Sequence, residues 1–266
     1  MGLCNNRIVV KVGTSTLTND AGKSDLRAID RLVCTLADIQ NMGYEVILVS
    51  SGAIAVGRNK LNMHEKPDSM RMKQAAAAVG QCSLMYLYDK FFGDYDKTVA
   101  QILLNAEDIE QEEKKENLIN TFNALLEMGI IPVVNENDSV SYTEIESEDR
   151  LFGDNDMLSS VVAVLCRAKQ LVILSDINGL YDADPRLYPN AKLISRIEEI
   201  DEAVYALAGG AGSRRGTGGM KTKLRAAALA TAQGINTVIT NGKAPEALYE
   251  IVKGNKAGTL FVGKTF

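Results

Sequence analysis

Residues 7–57 read RIVVKVGTSTLTNDAGKSDLRAIDRLVCTLADIQNMGYEVILVSSGAIAVG, and this stretch decides the fold. The short apolar runs RIVVKV (7–12) and YEVILVS (44–50) have the composition of buried strands. Between them, apolar residues recur at helical spacing, and Gly43 follows as a C-cap; the recurring residues are Leu26, Ile29, Leu32, Val33, Leu36, Ile39 and Met42. A strand, a helix and a second strand in this order predict a βαβ crossover with parallel strands.

The same alternation continues along the chain. Further strand-like runs are TVAQILL (98–104), IIPVVN (130–135), QLVILSD (170–176) and NTVIT (236–240). Helical patterns cover about 69–92, 115–128, 157–167, 198–208 and 221–233. We therefore predict an α/β fold with a largely parallel sheet and helices on both of its faces.

Composition limits the class of protein. The chain has 266 residues, 46% of them hydrophobic and 24% charged, which is ordinary for a soluble globular protein. A net charge of −5 disfavours general nucleic-acid binding, because a duplex binder needs a cationic face. The four cysteines lack metal-ligand spacing, and no apolar run is long enough to span a membrane. These features predict a cytoplasmic protein with reduced thiols and neither a nucleic-acid nor a membrane partner.

Ligands of such sheets bind beyond the carboxyl ends of the strands. At the first of these ends, KVGTS (11–15) places Lys11 between two valines. A lysine in a dry site needs an anionic partner, and the amides and hydroxyls that follow would suit a phosphate. A lysine that reaches from the strand end to solvent is the alternative.

Two more strand ends carry clustered polar groups. VSSGA (49–53) offers Ser51 and Gly52 at the start of a helix, either for an anion or as a simple N-cap. NENDSV (135–140) holds Asp138, which is able to accept hydrogen bonds from a substrate ammonium, although an Asx turn is the alternative.

FGDND (152–156) precedes a helix. One carboxylate there is explained if Asp156 caps that helix, but Asp154, Asn155 and Asp156 together exceed what a cap requires. The polar stretch at 141–155 is the best candidate for a mobile loop or lid. SDINGLYDADP (175–185) follows a buried strand and by spacing alone is an irregular βα connection.

AGSRRGTGGMKTK (211–223) contains four cations and no acid, although the chain is acidic overall. It runs from glycines into a helix, so free amides, the helix dipole and two lysines converge in a way that suits polyphosphate. A flexible surface loop is the alternative. The stretch is not a P-loop, and the absence of GxGxxG after the first strand disfavours a nicotinamide-dependent oxidoreductase.

Taken in order, KVGTS, VSSGA, NENDSV, FGDND, SDINGLYDADP and GTGGMKTK resemble the amino-acid kinase family over nearly the whole chain. The resemblance is strongest to those members that phosphorylate L-glutamate in the first step of proline biosynthesis. It implies a three-layer αβα sandwich forming a single domain, in which about 1–165 hold the amino acid and about 166–266 hold ATP. Many relatives carry a further C-terminal RNA-binding-like module; the resemblance here extends over the kinase part, and we expect no such module.

The resemblance also implies residue roles. Lys11 and Lys223 would neutralise the transferring phosphoryl group, and Asp156 would hold them in position. The implied substrate-binding residues are Ser51, Gly52, Asp138 and Asn155. The implied ATP-binding residues are Lys11, Ser175, Asp176, Thr217, Gly218, Gly219, Met220, Lys221, Thr222 and Lys223.

The implied reaction converts ATP and L-glutamate to ADP and γ-glutamyl phosphate, with Mg²⁺ on the phosphates and no metal ligand assigned to a protein side chain. A carboxylate nucleophile needs no general base, and the only histidine, His64, lies outside every motif. Family members also suggest inhibition by L-proline, a dimer or tetramer, and hand-over of the labile product to glutamyl phosphate reductase. The alternatives are a kinase of the same fold for acetylglutamate, aspartate, carbamate or UMP, and a non-catalytic nucleotide or amino-acid sensor.

Overall fold

The computed structural model describes residues 4–19, 22–63, 65, 67–140, 154–208 and 219–265. Eight strands of this part of the chain form one sheet in the order β3-β4-β2-β1-β5-β7-β8-β6. The strands are β1 Cys4–Val12, β2 Glu45–Ser50, β3 Val99–Leu104, β4 Ile131–Glu136, β5 Ala168–Ser175, β6 Arg196–Ile197, β7 Asn236–Asn241 and β8 Thr259–Phe261. Every neighbouring pair is parallel except β7 and β8.

Helices cover both faces of the sheet. They are α1 Thr14–Leu17, α2 Leu26–Asn41, α3 Ala53–Lys60, α4 Met70–Asp94, α5 Glu107–Glu110, α6 Glu112–Glu127, α7 Asn155–Leu165, α8 Glu202–Leu207, α9 Met220–Ala232 and α10 Ala247–Val252. Two apolar cores separate them from the sheet. Alternate residues of β1 divide between the cores, Val9 in one and Ile8 and Val10 in the other. The result is the expected three-layer αβα arrangement.

The predicted strands and helices are all present, with ends shifted by a few residues. The helix expected from 198 begins only at Glu202, because the Asp201 side chain caps it by accepting from Val204 N at 2.9 Å. The short strands β6 and β8 were not predicted, since runs of two and three residues carry no periodic signal.

Helices α3 and α4 cross in very close contact. A Cβ atom added to Gly80 would lie 1.7 Å from the Ala53 carbonyl oxygen, and one added to Gly57 would lie 1.8 Å from the Ala76 carbonyl oxygen. The backbones thus touch directly at this crossing, which fixes the turn that precedes α3 relative to α4. Among the helices of the described residues, none combines the length and apolarity needed to cross a bilayer.

Candidate functional site

A cleft of about 490 Å³ opens at the carboxyl ends of β1, β2, β4 and β5. Strand β1 lies between β2 and β5 at the centre of the sheet, so the turns after these strands converge on one place. Of the residues assigned from the sequence, the cleft is lined by Lys11, Ser51, Gly52, Asp138, Asn155, Asp156, Ser175, Asp176 and Lys223.

One buried carboxylate joins two lysines at the floor of this cleft. Lys11 Nζ lies 2.6 Å from Asp156 Oδ1, and Lys223 Nζ lies 3.0 Å from Asp156 Oδ2. Both lysine residues are 7% exposed and Asp156 is 1% exposed. Lys11 is therefore not a lysine that reaches into solvent, and the two amines assigned from the sequence do meet at one site.

Local structure explains why Asp156 is free to bind lysine. Asp154, not Asp156, is the N-cap of α7, and its side chain accepts from Asp156 N at 2.9 Å and Met157 N at 3.0 Å. The capping alternative for Asp156 is therefore wrong. Thr222 Oγ1 approaches the same carboxylate, at 3.3 Å from Asp156 Oδ2, and Lys223 follows it in the first turn of α9.

The electrostatics of Asp156 favour its ionised form. Burial alone would raise its pKa, but the ammonium groups of Lys11 and Lys223 more than offset that effect, so the pKa lies below its ordinary value. A carboxylate that stays charged keeps two ammonium groups in a dry site, where they can act on a phosphate.

Beside the lysines, Ser51 and Asn155 form one polar group. Asn155 Nδ2 donates to Ser51 Oγ at 2.9 Å and to Asn135 Oδ1 at 2.9 Å. Gly52, with φ of 104°, is the N-cap of α3 and supplies no side-chain cap. The interpretation of VSSGA as a serine cap is therefore wrong, and the glycine is required by its left-handed backbone.

Asp138 also lines the cleft and is half-buried. Desolvation, with a smaller contribution from the negative charge of Glu136, raises the pKa of Asp138 to about 7. A carboxylate disfavoured in this way is well suited to a cationic ligand, whose charge would restore ionisation. An Asx turn needs a side-chain oxygen that accepts from a backbone N–H two residues on, whereas Asn137 Oδ1 accepts from the Ser139 hydroxyl at 3.3 Å.

The other candidate residues lie toward the C-terminal half of the sheet. Ser175 ends β5, and its hydroxyl donates to Asp176 Oδ1 at 3.2 Å. Gly219 is the N-cap of α9, the partly buried Met220 packs on the core and Lys221 is exposed. Thr217 and Gly218, His64, and positions 141–153 of the proposed lid lie outside the described residues.

Three polar side chains at or next to the cleft were not singled out from the sequence. Arg58 in α3 and Lys73 in α4 also line the cleft and add positive charge to it. Gln81 lies behind the cleft and contacts Asn135. All three sit inside helical patterns and away from strand ends, so the rule that locates ligands at strand ends gives no signal for them.

Comparisons with known proteins show which family the chain resembles. A sequence model described as the amino acid kinase family matches residues 6–241. Glutamate 5-kinase of Clostridium perfringens is 54% identical over 258 residues, which cover 97% of this chain and 96% of that protein. The protein of the same name from Clostridium acetobutylicum is 51% identical over 259 residues, covering 97% and 95%, and that from Listeria innocua is 48% identical over 258 residues, covering 97% and 93%.

Solved structures are similar in fold at low identity. Carbamate kinase from Giardia lamblia bound to AMP-PNP has a TM-score of 0.67 at 16% identity and covers 99% of both chains. UMP kinase from Bacillus anthracis has a TM-score of 0.64 at 14% identity, covering 98% of this chain and 97% of that one.

Proposed function

The chain belongs to the amino acid kinase family, and on that premise we propose that it catalyses the glutamate 5-kinase reaction, the first step of proline biosynthesis. ATP and L-glutamate give ADP and γ-glutamyl phosphate. A γ-carboxylate oxygen of glutamate forms a bond to the γ-phosphorus of ATP, and the bond from that phosphorus to the oxygen shared with the β-phosphate breaks. The electron pair leaves with ADP, and no proton is transferred.

The observation that carries this proposal is the pair of buried lysines on one carboxylate. Two negatively charged reactants must approach each other, so catalysis depends mainly on position and on positive charge near the transferring group. Lys11 and Lys223 supply that charge, and Asp156 orients both ammonium groups and keeps them in a buried site. No histidine or other general base is needed, because the attacking carboxylate is already ionised at neutral pH.

The charges that line the cleft suit the rest of glutamate. Asp138 would bind the α-ammonium, and Ser51, Gly52 and Asn155 would lie along the substrate near Lys11. Arg58 and Lys73 would attract the α-carboxylate. Asp138 for the ammonium, and these cations together with Lys11 for the two carboxylates, would match the charges of a free amino acid that carries a side-chain carboxylate.

ATP would occupy the C-terminal side of the cleft. We assign the amino acid to about residues 1–165 and ATP to about 166–266, which meet where β1 pairs with β5. Ser175, Asp176 and the segment from Thr217 to Lys223 are the proposed nucleotide-binding residues, together with Lys11. The free amides at the start of the 13-residue helix α9 suit phosphate oxygens.

Mg²⁺ fits this site as a partner of the nucleotide. Among the described residues no group of three or more His, Cys, Asp or Glu side chains is placed to hold a metal. Magnesium commonly binds through one or two carboxylates together with substrate phosphates, and Asp176 on the nucleotide side is the carboxylate that we propose for it. When bound, the ion would offset negative charge on the phosphates.

A substrate panel tests the proposal. With ATP and hydroxylamine present, the purified protein should form a hydroxamate from L-glutamate and little from L-aspartate, N-acetyl-L-glutamate or carbamate. Hydroxamate from acetylglutamate or aspartate but not from glutamate would refute the substrate. A Lys223→Ala variant that turns over ATP as fast as the parent protein would refute the role of the lysine pair and favour a sensor.

Three further expectations concern partners. L-Proline should inhibit by competing with glutamate, the protein should form a dimer or tetramer, and the unstable acyl phosphate should pass to glutamyl phosphate reductase, all in the cytoplasm. Running the hydroxamate assay with and without L-proline tests the first of these in the same experiment.

A further inference from the structure

A chain of three side-chain amides runs from the interior of the protein to the cleft. Gln81 Oε1 accepts from Asn135 Nδ2 at 3.0 Å, and Asn135 Oδ1 accepts from Asn155 Nδ2 at 2.9 Å. Gln81 is 8% exposed and Asn135 is 2% exposed, so both are shielded from water. The three residues belong to α4, β4 and α7, which places the chain across three separate elements of the fold.

A backbone amide fixes the direction of this chain. The N–H of Glu136 donates to Asn135 Oδ1 at 2.9 Å. A backbone N–H can only donate, so the Asn135 oxygen must face it and the Asn135 nitrogen must face Gln81. The second lone pair of that oxygen then accepts from the Asn155 nitrogen. Flipping the Asn155 amide would place its oxygen against Asn135 Oδ1 and lose this buried hydrogen bond, so the orientation of Asn155 is fixed.

This orientation decides what Asn155 can offer to a ligand. Its two N–H groups face acceptors only, which are Ser51 Oγ and Asn135 Oδ1 at 2.9 Å each and, more distantly, the Ser50 carbonyl oxygen at 3.4 Å. No described residue donates to Asn155 Oδ1, and Asn155 lines the cleft. Asn155 thus presents only an acceptor to a ligand. Ser51, which accepts from Asn155, keeps its own O–H available as a donor.

We propose that Gln81 is a positioning residue for substrate selection, acting through Asn135 to hold Asn155 with its carbonyl oxygen toward the α-ammonium of the substrate. The inference rests on the proposed function and adds to it the reason for choosing a free α-amino group. An ammonium has N–H groups for both Asn155 Oδ1 and Asp138. An acylated nitrogen has a single N–H and no positive charge, so it satisfies this pair of acceptors poorly.

Gln81 itself is not among the residues that line the cleft, so a direct contact with substrate is not part of the proposal. Its effect depends on the cost of leaving Asn135 Nδ2 buried without an acceptor. If Gln81 is replaced by an apolar side chain, Asn135 must shift to find another partner. Asn155 shifts with it, and the acceptor for the ammonium is misplaced.

The test uses Gln81→Met, which keeps length and removes the acceptor. We expect KM for L-glutamate to rise about tenfold, with kcat and KM for ATP within about twofold of the parent values. Gln81→Glu restores an oxygen toward Asn135 and should bring KM for glutamate back to within about threefold of the parent. Gln40→Met is the matched control, because Gln40 donates to the Gly129 carbonyl oxygen at 2.9 Å in an exposed contact and does not line the cleft.

Glutarate separates positioning of the ammonium site from a general loss of structure. It keeps both carboxylates of glutamate and lacks the amine, so its inhibition constant against L-glutamate should change less than about twofold in Gln81→Met. An equal weakening of glutamate and glutarate, or no change for glutamate, would overturn the proposal.

A double-mutant cycle adds a second criterion. In an Asn155→Ala background the effect of Gln81→Met on glutamate binding should disappear, since the residue through which it acts is gone. Additive effects would overturn the inference. These outcomes are distinct from failure of the proposed function, which would appear as an absence of glutamate hydroxamate in the parent protein before any variant is made.

Discussion

Replacing Asp156 by Asn tests the electrostatic centre of the site with little change in shape. The substitution removes the negative charge that lies 2.6 Å from Lys11 Nζ and 3.0 Å from Lys223 Nζ. At an effective dielectric constant near 20, each ion pair of this kind is worth on the order of 4 kcal/mol of attraction. The lower desolvation cost of a neutral amide offsets part of the loss, and we expect a net destabilisation of about 3–5 kcal/mol.

Catalysis should suffer as well, because the two ammonium groups repel each other once the carboxylate is neutral. We expect kcat to fall by about 10²–10³-fold, which is the range for losing a preorganised electrostatic group. Guanidinium unfolding gives the stability and ADP release gives the rate. ATP brings negative charge to the lysines, so the melting temperature of the variant should rise more on adding ATP than that of the parent protein.

Asp154→Asn is the matched control for this experiment. Asp154 begins the same helix but serves as its N-cap, and asparagine caps almost equally well, so a cost below about 1 kcal/mol is expected. Because the pKa of Asp156 is lowered in the folded protein, its stabilisation is present above its ordinary pKa and is lost as the pH falls through the lowered value. An Asp156→Asn variant with the stability of the parent protein and a kcat within threefold of it would refute the reasoning.

Three other perturbations test separate parts of the structure. Since the pKa of Asp138 is raised to about 7, KM for L-glutamate should fall as the pH rises through about 7, and Asp138→Asn should raise KM and flatten that profile. The contribution of Asp138 to the free energy of unfolding is fully present below its ordinary pKa and is lost as the pH rises through about 7. Melting curves should therefore show that Asp138→Asn stabilises the ligand-free protein above that pH. Arg58→Gln should raise KM for L-glutamate by about tenfold and leave KM for ATP nearly unchanged, and equal changes for both substrates in steady-state assays would contradict its placement. Gly80→Ala should lower the free energy of unfolding by about 3 kcal/mol or more in denaturant titrations, because the new Cβ would lie 1.7 Å from the Ala53 carbonyl oxygen. Gly93→Ala in the same helix is the control: its Cβ meets nothing within 4 Å, and it should stabilise the protein by up to about 1 kcal/mol.

The fold was predictable because its signals are local and repeated. Apolar runs of strand length alternate with helical spacing, and Gly43 follows the C-cap Met42 of α2 with φ of 91°, the left-handed backbone that is typical of a glycine after a helix. The edge of the sheet that holds the cleft follows from the direction of parallel strands. Strand order and the antiparallel pairing of β8 with β7 did not follow, because these depend on long-range packing that a short run of residues does not encode.

The residues of the candidate site that lie at strand ends could be predicted from the sequence, whereas the buried contacts that support them could not. Lys11, Asp156 and Lys223 were brought together by resemblance to a family, since nothing in their spacing indicates that they meet. The buried contact between Gln81 and Asn135 has no sequence signal, because a glutamine within a helical pattern is ordinarily exposed. The raised pKa of Asp138 likewise depends on desolvation, which sequence does not report.

The shared carboxylate at the floor of the cleft has a consequence for how the protein is made. Lys11 leaves the ribosome early, whereas Lys223 is translated near the end of the chain. A nascent chain whose glutamate pocket has already formed still lacks one of its two amines, so phosphoryl transfer begins only after α9 has emerged and docked. A partly translated chain therefore lacks the complete pair of amines that phosphoryl transfer requires.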